Sequence, residues 1–141
     1  MSTPVHTSVE IEVRYAETDQ MGVVHHAAYL VWFEVARTHL CLEAGIHYAQ
    51  IERDGHFLMM KRAEAEYRAG ARYGDTVTVT AWIDRLASRV LRFGYSVQRG
   101  DTLLATGATE HVWVDRSTGR PCRLPEKLAP AFHRLAGTGT S

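Results

Sequence analysis

Ala27-Ala-Tyr-Leu-Val-Trp-Phe-Glu-Val-Ala-Arg-Thr-His-Leu-Cys-Leu-Glu-Ala44 carries the long helical period of this 141-residue sequence. Leu30, Phe33, Ala36 or Arg37, Leu40 and Ala44 recur at steps of three and four, and Gly45 supplies a stop signal. Val31, Trp32, Val35, Cys41 and Leu42 widen the apolar surface beyond one stripe, so the reading predicts a helix buried on most sides. About 18 residues at 1.5 Å rise give roughly 27 Å of helix. On its N-terminal side, Val9, Ile11, Val13 and Tyr15 alternate with Glu10, Glu12 and Arg14, the period of a strand with one wet face. After a connector from Ile46 to Gly55, the sequence reads mostly as strand: Phe57 to Ala69, Asp75 to Ala87, Val90 to Arg99 and Thr102 to Asp115. Arg99-Gly-Asp-Thr102 is a tight hairpin turn, and Pro125 to Leu135 a short closing helix.

The order strand, long helix, four long strands predicts an α+β fold. A five-stranded antiparallel sheet of strands up to roughly 40 Å long wraps one central helix. One helix cannot cover such a sheet, so a second copy is expected to complete the structure, sheet edge to sheet edge. Hydrophobic residues are 45% and charged residues 23%, ordinary for a soluble globular chain, which excludes disordered and collagen-like classes. Sixteen Lys and Arg balance sixteen Asp and Glu, against a nucleic-acid partner. Cys41 and Cys122 cannot form a disulfide framework. Neither a membrane-length apolar run nor a signal peptide is evident, so the expectation is a reduced, cytoplasmic single domain over residues 1–141 with flexible ends at 1–7 and 137–141.

The segment Arg14 to Arg37 is where chemistry is expected. Thr18-Asp19, Gly22-Val23-Val24, His26, Tyr29, Phe33-Glu34 and Ala36-Arg37 together resemble the signature of hotdog-fold acyl-CoA thioesterases, in the 4-hydroxybenzoyl-CoA thioesterase and YbgC-like branch. Phe57, Tyr67, Tyr73-Gly74-Asp75 and Ser88-Arg89 extend the resemblance over roughly Val9 to Asp115. His25 stands where that pattern usually has an aromatic residue, and Ala28 where it has Asn. The resemblance implies hydrolysis of a CoA thioester by a homo-oligomer, a dimer or a tetramer of hotdog dimers, without a metal or other cofactor. It assigns Asp19 as nucleophile or general base and His26 as the helix-start amide that holds the oxyanion. Gly22, Val23, Tyr29, Ser88 and Arg89 are then expected around the substrate. The chemistry fits those residue types. A thioester carbon needs a nucleophile or activated water, and its oxygen needs donors, which a helix N-terminus supplies through unpaired amides and its dipole.

Plainer readings exist for each residue. Asp19 in Thr-Asp-Gln-Met-Gly is also a good Asx-turn residue. His25-His26 hints at a metal site, but adjacent histidines diverge and no partner motif follows. Glu34 and Glu43 are helix carboxylates, and Glu34 with Arg37 is more simply an i, i+3 ion pair. Trp32, Phe33, Phe57, Met59 and Met60 line an acyl tunnel or belong to ordinary core. Arg85, Arg89 and Arg92 meet CoA phosphates or form a solvated strand face. The rival functional reading is a non-catalytic acyl-CoA-binding protein.

Overall fold

The structure, a computed structural model, describes residues 3–138. The strands are β1 (Thr7–Glu12), β2 (His56–Tyr67), β3 (Thr76–Leu86), β4 (Val90–Arg99), β5 (Thr102–Asp115) and the two-residue β6 (Pro121–Cys122). The helices are α1 (His26–Glu43), α2 (Tyr48–Arg53) and α3 (Ala129–Ala136), and a 3-10 turn spans Tyr15–Glu17. The sheet runs β1-β3-β4-β5-β2, every pair antiparallel, with β6 added beside β5. This is the α+β arrangement expected, five antiparallel strands, four of them long, with one long helix, and the short β6 is an addition.

Alternation decides which sheet face holds the helix. Val77, Val79, Ala81 and Ile83 of β3 and Leu91, Phe93, Tyr95 and Val97 of β4 are buried and point one way. Against them α1 lays Ala28, Tyr29, Trp32, Phe33, Ala36, Leu40 and Cys41. Phe33 stacks on Tyr95 with ring centroids 4.3 Å apart. The Phe33 ring also lies directly over Gly107 of β5, where an added Cβ would stand 2.5 Å from it. Only a glycine leaves room there.

Three expectations need correction. The helix is not buried on most sides: Leu30, Val31, Val35 and Leu42 are 38%, 49%, 43% and 44% exposed, because the sheet curls over one flank only. The connector 46–55 contains α2, whose six residues are too few to show a period; Ile51 is its one buried residue. The ends are engaged further out than expected. Thr7 begins β1, the Val5 amide donates to the Leu135 carbonyl (2.9 Å) and His6 stacks on Trp82. At the other end, Gly137 caps α3 in the left-handed conformation and the Thr138 amide donates to His133. Residues 1–2 and 139–141 lie outside the described residues.

Each edge strand pairs on one side only, β1 with β3 and β2 with β5, and β2 carries exposed Phe57, Met59, Met60 and Tyr67 along its length. A bulge between Met60 and Arg62 shifts its register.

Candidate active site

The loop entering α1 is a narrow two-stranded ladder. The His25 amide donates to the Glu17 carbonyl (3.0 Å), Thr18 bridges Val24, and the Asp19 amide donates to the Val23 carbonyl (2.8 Å). Gly22 closes the ladder at φ +80°, a conformation that excludes most side chains, and its amide returns to the Asp19 carbonyl. Val23 in turn bridges Arg72, tying the loop to the turn that precedes β3. Asp75 fixes that turn by accepting from the Arg72 amide (2.9 Å) and the Arg99 guanidinium (3.0 Å).

Asp19 is exposed, and both readings of it are present in one residue. Its Oδ1 accepts the Met21 amide at 2.8 Å and meets the Val23 amide at 3.4 Å, which is an Asx turn. Its Oδ2 has no partner among the described residues and is open to solvent chemistry. One rung and a half away, α1 begins. His25 occupies the N-cap position without a side-chain cap, and the amides of His26 and Ala27 meet no acceptor among the described residues. The helix therefore presents uncapped donors and the positive end of its dipole beside the Asp19 loop.

Val23, His26 and Tyr29 share one cleft of about 260 Å³ with Val24, Tyr67 and Arg68. The His26 ring stacks on Tyr67 (centroids 4.4 Å), and the Tyr67 hydroxyl donates to the His26 carbonyl at 3.4 Å. His26 is thus held by stacking, though it is exposed, as His25 is. Among the described residues no three His, Cys, Asp or Glu side chains are grouped to hold a metal ion. Tyr29 is buried beneath the cleft floor, and burial raises its phenol above the usual tyrosine range.

The structure does not bring every expected residue together. Ser88 and Arg89 form the β3–β4 turn, at the far end of β3 from the Asp19 loop, and eleven β3 residues separate the two ends by roughly 35 Å. Arg92 is no free phosphate ligand: it is held by Glu64, by Asp84 at 3.0 Å and by Glu110 at 3.4 Å on the outer face of the sheet. Glu34 reaches Arg37 at 3.9 Å, as the ion-pair reading has it. Trp32 and Phe33 are fully buried core residues.

Two features escape the sequence reading. Glu17 is only 6% exposed, and its carboxylate accepts the Arg14 amide (2.9 Å) and the Trp32 indole N–H (2.8 Å). Burial opposes its charge, but these bonds and the Arg14 guanidinium prevail and hold its pKa below the usual value. Nothing in the spacing of Glu17 and Trp32 announces the contact. The second is a buried polar chain behind α1. Arg37 donates to the Tyr95 hydroxyl (3.5 Å), which meets Thr109 Oγ1 (2.6 Å), which meets His111 Nε2 (2.9 Å). Arg37 can only donate, so the Tyr95 oxygen accepts at the head of the chain, which ends on one ring nitrogen of His111, Nε2, and does not include the other, Nδ1. That Nδ1 has no partner among the described residues. His111 is 2% exposed and lines a cavity of about 150 Å³ with Glu34, Arg37, Tyr48, Ile51 and Leu58. Burial, with the Arg37 charge adding to it, pushes the His111 pKa down to about 4.

With this geometry the chain matches known proteins along most of its length. It is 38% identical to YneP of Bacillus subtilis over 125 residues, covering 88% of this chain and 90% of that protein. It is 27% identical to the acyl-CoA thioesterase YbgC of Haemophilus influenzae over 131 residues, covering 91% and 95%. The crystal structure of a DHNA-CoA thioesterase from Staphylococcus aureus superimposes with a TM-score of 0.84 at 32% identity, covering 92% of this chain and 87% of that one. The fold shared with these thioesterases is the hotdog fold. A family profile described as the thioesterase-like superfamily matches residues 13–132, and by that match and these likenesses the chain belongs to the thioesterase-like superfamily.

Proposed function

We propose that this protein is an acyl-CoA thioesterase, hydrolysing a CoA thioester to the free acid and CoA. The observation that carries the reading is the Asp19 ladder: the carboxylate, whose Oδ2 has no partner among the described residues, lies in the loop that leads into α1, whose His26 and Ala27 amides likewise meet no acceptor among the described residues. Relatives named as acyl-CoA thioesterases support the reaction class.

Asp19 acts through Oδ2, either attacking the thioester carbon or taking a proton from the water that does. Negative charge then develops on the carbonyl oxygen, where the helix-start amides donate to it; one such donor is typically worth roughly 10²–10³ in rate. The thiolate of CoA leaves; where Asp19 attacks, water then cleaves the acyl–Asp19 anhydride and frees the carboxylate, and where Asp19 activates water, the proton it has taken passes to the departing thiolate. The reaction needs no metal or redox cofactor. A CoA ester as substrate and two cysteines present as free thiols fit a cytoplasmic enzyme.

The substrate also needs a hold on its nucleotide, and here the expected residues lie apart within one chain. A second copy supplies the remedy. Pairing two β2 edges antiparallel turns the partner sheet end for end, so the partner's Ser88-Arg89 turn comes to the end of the sheet that carries Asp19. The exposed apolar residues of β2, Phe57 and Met59 on one face of the strand and Met60 and Tyr67 on the other, flank the edge that such a dimer pairs. Gly22, Val23 and Tyr29 then line the acyl side of the site and Ser88 and Arg89 the CoA side. Arg68, on the cleft wall, is the alternative cation from the same chain.

The test is thiol release from a panel of acyl-CoA esters by the wild type and Asp19→Asn. The variant keeps the Oδ1 acceptor of the Asx turn and removes the charge, so turnover should fall at least ~100-fold without loss of folding. A folded Asp19→Asn protein with near-normal turnover would end the assignment. Binding of acyl-CoA with no thiol release from any ester would establish the rival reading, a non-catalytic binder.

A further inference from the structure

Burying a carboxylate against an indole is a costly way to fill space, since an apolar side chain would pack Trp32 without losing hydration. Glu17 nonetheless lies there, and its connections explain what it does. Its Oε1 takes the Arg14 amide, which opens the 3-10 turn; its Oε2 takes Trp32, in the second turn of α1. Its carbonyl takes the amide of His25, the N-cap residue of α1. One residue thus binds the stretch before the loop, the interior of the helix and the helix start. Asp19 follows two residues later on the same ladder. Of the other contacts, Thr18 with Val24 and Asp19 with Val23 lie within the loop, and Val23 with Arg72 and Val24 with Ala71 tie it to the turn before β3, not to the interior of α1.

We propose that Glu17 is a positioning residue for this site, fixing the Asp19 loop to α1 so that the carboxylate and the helix-start amides hold one relative placement. The proposal rests on the thioesterase reading for its kinetic consequence, but not for its structural one. Both oxygens of Glu17 receive N–H groups. Glu17→Gln therefore turns one acceptor into a donor facing a donor, with almost no change of shape.

The experiment pairs kinetics with hydrogen exchange on the full chain. Glu17→Gln should lower kcat at least tenfold while KM stays within about twofold, because the CoA contacts lie elsewhere, and the His25 amide should exchange faster. Trp32→Phe, which removes one donor and keeps the charge, should give a smaller fall of the same kind. In the double variant the new amide no longer faces the indole N–H, so kcat should recover part of the loss. If Glu17→Gln fails to fold, Trp32→Phe alone decides. A folded variant with wild-type kcat and unchanged His25 exchange overturns the proposal. A wild type that releases no thiol sinks the thioesterase reading instead, and the His25 exchange rates then still decide whether Glu17 holds the loop.

Discussion

Acidification should cost stability through His111 before it does so through most carboxylates. In the folded chain its imidazole is buried beside Arg37 with a pKa of about 4, against 6.5 for the free side chain. Between those values the unfolded chain binds a proton that the folded chain refuses. The slope of unfolding free energy with pH is positive wherever the unfolded state holds more protons, so stability falls as pH drops through this window and then levels off. A difference of about 2.5 units amounts to about 3 kcal/mol in full, of which roughly 1 is lost by pH ~5.5 and roughly 2 by pH ~5. Glu17 and Asp75, both held below their usual pKa, add their own losses at lower pH as they protonate. The His111 share is isolated by difference. Urea unfolding of the wild type and His111→Gln, at one chain concentration and at pH values from 7.5 to 4.5, gives two curves. The wild-type advantage should shrink by about 2 kcal/mol between pH ~7 and pH ~5. The ring resonances of His111 should show a neutral imidazole down to pH ~5. A constant difference between the two curves, or a His111 that titrates near 6.5, would refute the argument.

Three further outcomes are expected. Gly107→Ala drives a methyl to 2.5 Å from the Phe33 ring and 2.8 Å from the Glu64 carbonyl oxygen, so urea unfolding should show a loss of about 1–3 kcal/mol; an unchanged midpoint would mean that the helix shifts freely. Arg89→Ala should raise KM for CoA esters about tenfold, equivalent to about 1.4 kcal/mol, with kcat unchanged; if Arg68→Ala does this and Arg89→Ala does not, the cation comes from the cleft wall of the same chain. Sedimentation at micromolar concentration should show at least a dimer, and a stable monomer would remove the β2 pairing and the composite CoA site with it.

The fold was legible because its signals are local. Alternation in Val77, Val79, Ala81 and Ile83 and the three-and-four spacing of Leu30, Phe33 and Leu40 report burial directly, and the structure buries all but Leu30. Leu30 shows the limit of that signal: an apolar residue on a helix marks a face, but not whether one chain suffices to cover it. The position of Asp19 was equally readable, since it lies only a few residues before the helix start. What the sequence hides are contacts whose partners have no fixed spacing. Glu17 meets Trp32 fifteen residues on, and Tyr67 meets His26 across forty-one, through a sheet edge that had first to be placed. Arg92 read as a candidate phosphate ligand because its three carboxylate partners, Glu64, Asp84 and Glu110, come from three different strands.

The seat of Phe33 over Gly107 makes α1 a keyed part. On the same face of β5 the neighbouring positions are Ala105 and Thr109, each with a side chain where Gly107 has none. The ring fits a single notch, so the helix can neither slide a step nor roll without climbing out of it. Any adaptation to acyl groups of different size must therefore come from the parts that are not keyed: the Asp19 loop, the segment around α2, and the open edge of β2. A lineage of such chains could trade substrates by altering those three rims and leave the helix untouched.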